Sequence, residues 1–246
     1  MEQWCLYACE LEGRPAFITC DQSAKARLAA QGLTRLSVVR AGVAQPRDTK
    51  TRQGLIPMRA LGAFEAALVR AMAALGGLHV GKVNYEGQQS WYFYGPQTMR
   101  PEEMLSDLEA SQRVALAHVA IDDAQHEHFE RTLMPGPDEL RTIRDLRALE
   151  TLAAQGDVPE RPRRIDYVAD FMDDRARERF CQRVAEQGYI VTGKAAGKTP
   201  LPARAYFHKI DSTDLASVSK TSDALQRLVA RHRGRFVGWT AQPVTQ

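Results

Sequence analysis

Arg163-Arg164-Ile165-Asp166-Tyr167-Val168-Ala169-Asp170-Phe171-Met172-Asp173-Asp174 decides how the last third of the chain folds. Ile165, Tyr167, Ala169 and Phe171 fall on one side of an extended run, and Asp166 and Asp170 on the other. That period of two predicts a half-buried strand over 164–171. Asp173 and Asp174 then supply the carboxylates that suit a helix start. The pattern continues with a helix over 173–187 stopped by Gly188 and a strand over 189–192. After these come a strand over 202–210, a helix over 214–233 stopped by Gly234, and a strand over 235–241. The order βαββαβ is the split βαβ pattern of a ferredoxin-like sandwich, with two helices on one face of a four-stranded antiparallel sheet. It points to binding before chemistry.

Both helices carry the stripe such a sheet needs. Ala176, Phe180 and Val184 recur at i, i+4 and i+8 with Cys181 beside them, and Arg175, Arg177, Glu178, Arg179, Arg183 and Glu186 take the wet face. In the second helix Leu215, Val218, Leu225, Leu228 and Val229 face inward, with Ser212, Thr213 or Asp214 as the cap. Gly188 can adopt the left-handed conformation that ends a helix.

Four segments carry a family resemblance: Arg163-Arg164-Ile165-Asp166-Tyr167, the acidic helix start, Gln187-Gly188-Tyr189-Ile190-Val191, and Gly234-Arg235-Phe236-Val237-Gly238-Trp239. In that order they resemble the regulator of ribonuclease E activity B family. The preceding part resembles the uncharacterised domain often fused ahead of that regulator, through Gly54-Leu55-Ile56-Pro57, Ser90-Trp91-Tyr92-Phe93-Tyr94 and Leu133-Met134-Pro135. The resemblance implies a regulator that binds a ribonuclease E-like endoribonuclease and lowers its activity by protein contact. Two motifs depart from the family pattern. Val237 and Thr240 replace an Asp and a Gly near the end, and Asp123-Ala124-Gln125-His126 stands where relatives read Asp-Pro-x-Trp.

The chain has 246 residues, 44% of them hydrophobic, enough for two packed cores. No apolar run reaches the ~20 residues of a membrane-spanning helix. Met1-Glu2-Gln3 is not the basic start of a signal peptide, so a cytoplasmic protein is expected. A long helix over 137–154 is followed by the turn-rich Gly156–Pro162, which places a boundary between domains 1–158 and 159–246. Charge changes sign there: residues 160–246 hold 16 Lys/Arg against 10 Asp/Glu, net +6, and residues 1–159 are net −3. Such asymmetry could dock the domains or meet an acidic partner.

The front domain also alternates hairpins and helices, predicting a second helix-covered antiparallel sheet and an α+β protein throughout. Hairpins are expected around Glu12-Gly13-Arg14 and Glu86-Gly87-Gln88, a strand over 35–43 and a strand over 114–121. Helices are expected over 57–75, 102–112 and 123–133, and a loop over 44–54.

Gly193-Lys194-Ala195-Ala196-Gly197-Lys198-Thr199 has three residues between its glycines, not the four of a phosphate-binding loop, and no helix comes after it. A basic loop between two strands is expected instead. On a helix Asp122, His126 and Glu130 would share one stripe, while His126 and His128 lie roughly 200° apart and cannot grip one ion. A solvated helix face is expected there, and no metal. Cys5, Cys9, Cys20 and Cys181 contain no C-x-x-C pair and are expected as buried free thiols, with Cys5 and Cys9 on one strand face and Cys20 approaching from the neighbouring strand. No catalytic residue and no cofactor is predicted, and the protein is not expected to be an enzyme.

The candidate partner-binding residues are Arg231, Arg233, Arg235, Phe236 and Trp239, because arginines and large aromatics anchor interfaces. Phe236 and Trp239 have opposite parity on a regular strand, so both can face the core only if Gly238 marks a bulge. Direct RNA binding is the alternative: 12 arginines lie in this half, and Tyr206 and His208 share a strand face. Asp166 and Asp170 on the same sheet face would oppose phosphates.

Overall fold

The computed structural model describes residues 2–44, 54–198 and 200–245. They form two compact units, Met1–Pro135 and Gly136–Gln246. Each is built from an antiparallel sheet and helices, the α+β arrangement expected.

The first unit runs β1 (Trp4–Leu11), β2 (Arg14–Asp21), α1 (Ala24–Gln31), β3 (Arg35–Gly42), α2 (Leu61–Ala74), β4 (Leu78–Tyr85), β5 (Gln88–Gly95), α3 (Glu102–Gln112) and β6 (Leu116–Asp122). Its strands lie in the order β1-β2-β4-β5-β3-β6. Both expected hairpins form, and Glu12-Gly13 and Glu86-Gly87 take positive φ at both turn positions. That geometry matches the right-handed twist of the flanking strands. Trp91 and Phe93 of β5 pack with Val39 and Ala41 of β3 against Phe64, Leu68 and Met72 of α2. Helix α1 went unpredicted because only Ala24 and Leu28 face inward, too few to mark a period.

The helix expected over 123–133 is instead a capped turn followed by a π-helical turn, Phe129–Leu133. Asp123 accepts hydrogen bonds from the Glu127 and His128 amides at 2.8 and 3.0 Å and from the buried Tyr94 hydroxyl. His126 takes a positive φ and sits in the interior, its Nε2 2.8 Å from the Leu33 carbonyl oxygen. The stretch expected as a loop over 44–54 lies mostly outside the described residues.

The second unit runs α4 (Pro137–Ala154), β7 (Arg163–Phe171), α5 (Asp174–Glu186), β8 (Ile190–Lys198), β9 (Leu201–Asp211), α6 (Leu215–Arg231) and β10 (Gly234–Ala241). The sheet order is β10-β7-β9-β8, every neighbour antiparallel. Asp173 caps α5 by accepting from the Ala176 amide at 2.7 Å, and Asp214 caps α6 by accepting from the Ser217 amide at 2.9 Å. Ile165, Tyr167, Ala169 and Phe171 meet Phe180 and Val184 of α5, and Val218, Leu225 and Val229 of α6, in one core. Phe171, Phe180 and Phe207 are fully buried there. Each such side chain contributes about 1.5–3 kcal/mol.

Helix α4 adds Leu152, Leu149 and Ala148 to that same core, so the division between units falls ahead of this helix and not in the turns after it. Two further details differ from expectation. Residues 193–198, expected as a loop, continue β8 along β9 past a bulge between Val191 and Gly193. The left-handed residue ending α6 is Arg233, at φ 55°, and not Gly234. Gly234 is needed for a different reason. A Cβ there would stand 2.6 Å from the Phe171 ring and 2.7 Å from the Asp170 carbonyl oxygen.

Candidate protein-binding surface

Strand β10 holds the candidate residues, and its register explains where each one points. The pairing with β7 slips between Phe236 and Gly238, so the strand carries a bulge. Gly238 takes φ 149° at that point, where a side chain would be strained. The extra residue corrects the parity, and Phe236 and Trp239 both turn inward, 4% and 8% exposed.

Trp239 Nε1 donates to Asp145 Oδ1 of α4 at 2.8 Å, and the Ser222 hydroxyl of α6 donates to the same oxygen at 3.1 Å. Arg141 lies 3.6 Å from the other carboxylate oxygen. Burial pushes the Asp145 carboxyl above its usual range, against the pull of these donors and of Arg141. Arg144 donates to the Val237 carbonyl oxygen at 2.8 Å, which satisfies an acceptor on the outer edge of the sheet. Phe236 and Trp239 therefore fasten β10 to α4 and to the core.

The three arginines are exposed, but they do not make one patch. Arg231 lines a cleft of about 380 Å³ with Arg179, Gln182, Arg183, Glu186, Leu228 and His232, between α5 and α6. Burial, with Arg179 and Arg183 adding to it, holds the His232 imidazole below its usual range. Arg235 lies on the opposite face of the sheet, in register with Asp170. Arg233 occupies the turn between them, and its carbonyl accepts from the amide of the exposed Met172. The sequence pattern places Arg179 and Arg183 only on the solvent-facing side of the helix. Their i, i+4 spacing was the available signal for a shared cleft with Arg231.

On the open sheet face Asp170 is fully buried under arginines. Arg204 grips it with two bonds of 2.6 and 2.9 Å, and Arg235 approaches to 3.5 Å. The Arg204 bonds hold the Asp170 carboxyl below its usual range. Arg164 similarly binds Asp166 at 2.7 Å. Arg204 and Arg164 are occupied by the sheet's own carboxylates, which reduces the positive charge this face offers to phosphates, while Arg235 stays 60% exposed. Tyr206, Ile190 and Ile210 are exposed beside them.

The remaining sequence candidates are structural. Asp122 pairs with Arg35 and Glu130 with Lys25, while His126 is buried apart from both, not on the solvated face expected. Among the described residues no group of three His, Cys, Asp or Glu side chains converges as a metal site. Cys5 and Cys20 are register partners with sulfurs 3.6 Å apart, a thiol contact longer than the ~2.05 Å of a disulfide. The Cys5 contact and burial push the Cys20 thiol up. Lys194 of the glycine-rich segment binds Glu178 at 2.6 Å on the helix side of the sheet, and Thr199 lies outside the described residues.

Residues 2–134 match the model of a family of unknown function (DUF695), more than half of the chain. The chain belongs to that family. Beyond the DUF695 part, residues 142–240 match the model described as regulator of ribonuclease activity B, and that span runs from α4 to the closing Trp239-Thr240. The fusion anticipated from the ordered motifs is thus present. No curated protein matches this DUF695 chain. It is similar to a solved structure titled as an unknown protein from Galdieria sulphuraria, at 10% identity over 83% of this chain and 98% of that one, with a TM-score of 0.23. A putative glycine cleavage system transcriptional repressor is similar at 10% identity over 85% of this chain and 98% of the other, also with a TM-score of 0.23. At that score neither likeness carries weight for fold or function. No helix among the described residues is long and apolar enough to cross a membrane.

Proposed function

We propose that this protein regulates a ribonuclease E-like endoribonuclease in the cytoplasm by direct protein contact through its second unit. The observation that carries the proposal is the match of residues 142–240 to the regulator of ribonuclease activity B. The working groups are assigned to the surface of the unit, where Arg231 shares a cleft with Arg179 and Arg183 and Arg235 stands 60% exposed. Arginines so placed suit an acidic partner surface. Phe236 and Trp239 act indirectly, by holding β10 and its arginine in position.

The test uses purified full-length protein and purified ribonuclease E-type enzyme, with capture and RNA cleavage measured together. Wild-type protein should be captured and should change the cleavage rate. Arg231→Glu and Arg235→Glu, both at exposed positions, should each weaken capture several-fold. Capture that survives both substitutions removes the arginines from the interface. If wild-type protein neither binds the enzyme nor changes its rate, the assignment to a ribonuclease falls.

A further inference from the structure

We propose that the groove between the second half of α4 and the start of α6 docks a partner segment carrying a bulky apolar side chain between basic ones. This rests on the assignment of protein binding to the second unit and names a surface for it. The groove encloses about 440 Å³. Leu146, Leu149 and Ala153 form one wall, and Leu215 and Pro159 contribute the other. Leu146 is 38% exposed and Leu215 52%, although each lies beside other apolar side chains. That volume suits the anchoring side chain of a helix or an extended segment.

The floor is fixed before any partner arrives. Buried Asp157 pairs with Arg163, accepts from the Thr213 hydroxyl at 3.1 Å and accepts from the Val244 amide at 2.7 Å. The Thr213 amide donates to the Pro159 carbonyl at 2.8 Å. Four separate pieces of chain are tied at this point, so little ordering cost remains for binding.

Charge selects the occupant. Glu150 and Glu160 stand exposed among the lining residues, and Asp214 stands beside Leu215. The Ser212 hydroxyl and the Ser217 amide hold the Asp214 carboxyl down at about 2, so it stays ionised. None of the lining residues is basic, in a unit (residues 136–246) that holds 19 Lys/Arg against 15 Asp/Glu, net +4. An acidic segment or a phosphate backbone would be repelled, whereas Arg or Lys flanking an apolar anchor would be drawn in.

The probe is a synthetic amphipathic peptide with leucines on one face and arginines beside them, titrated into full-length protein by fluorescence anisotropy. A counterpart with glutamate in place of each arginine runs in parallel. The arginine peptide should bind, more weakly at high salt, and the glutamate peptide should not. Leu215→Glu should weaken binding at least about tenfold, as should Glu150→Lys combined with Glu160→Lys. The double variant alters only exposed positions, so the test stands if Leu215→Glu disturbs folding. Unchanged binding in the double variant overturns the proposal, and so does equal binding of the glutamate peptide. A concentration-dependent dimer that Leu215→Glu abolishes would overturn it as well, since a second copy would then fill the groove. Ribonuclease capture separates the two assignments. Loss of the enzyme but retention of the peptide result would leave the groove standing without that partner. Equal capture by wild type and double variant would remove the groove and keep the ribonuclease.

Discussion

At the residue scale, two carboxylates show opposite responses to burial. Asp170 is fully buried yet fully paired, with Arg204 holding its carboxyl below the usual range. A lowered folded value means that the pair contributes stability above the unfolded carboxyl value of about 3.9 and loses it as pH falls through the folded value. Asp170→Asn should cost about 2 kcal/mol at pH 7, because it leaves a largely buried guanidinium without its counter-ion. It should also flatten the acid limb of a stability-versus-pH curve measured by urea unfolding. An unchanged acid limb would show that other carboxylates set it. Asp145 is also buried, but its donors do not offset desolvation and its carboxyl is raised. Its bond to Trp239 joins residues 94 apart. Trp239→Ala should therefore cost about 3–5 kcal/mol, and Trp239→Phe, which keeps an aromatic ring and deletes the N–H, about 1–2 kcal/mol. A Trp239→Phe protein as stable as the wild type would mean that the hydrogen bond contributes nothing. The inward parity of Phe236 and Trp239 was readable once Gly238 was allowed a bulge. The Asp145 connection was not, because no local pattern marks a partner so distant along the chain.

At the element scale, the order of strands and helices from Arg163 onward was legible because each element repeats its apolar positions at a single period. The extension of β8 was not. Gly193, Lys194, Ala195, Ala196 and Gly197 show no apolar alternation, and backbone pairing with β9 holds them in the sheet, with the Lys194–Glu178 ion pair as a side-chain tie. The same limit hid α1, and the capped turn at Asp123 hid behind helix-forming residues that a buried Tyr94–Asp123 bond overrides. Gly234 illustrates a constraint of packing that looked like one of backbone conformation. Its φ is not positive, but a methyl there would collide with the Phe171 ring and the Asp170 carbonyl. Gly234→Ala should push β10 away from β7 and cost about 1–3 kcal/mol in chemical denaturation. A loss no greater than a few tenths would show that Phe171 can rotate aside.

At the scale of the whole molecule, the allegiance of α4 matters most. From sequence, the turns at Gly156–Pro162 placed a boundary after this helix, since Pro and Gly are strong punctuation. Packing joins the helix to the downstream sheet and to α6: Leu152 enters the core of the second unit, Asp145 accepts from Trp239 and Ser222, and Arg144 covers the Val237 carbonyl. Periodicity reports which face of a helix is apolar but not which neighbour covers it, so this allegiance could not be read from α4 alone. A fragment of residues 136–246 should consequently fold on its own and unfold in one cooperative step. A fragment of residues 159–246 would expose Trp239 and leave the α4-facing part of the core uncovered. Trp239 is the single tryptophan after residue 135, so its emission reports this directly. The longer fragment should emit as a buried indole, and the shorter one should shift to the red and lose cooperativity. Matching emission and matching denaturation midpoints in the two fragments would separate α4 from the second unit. They would also show that β10 holds its bulged register, and with it the position of Arg235, without help from α4.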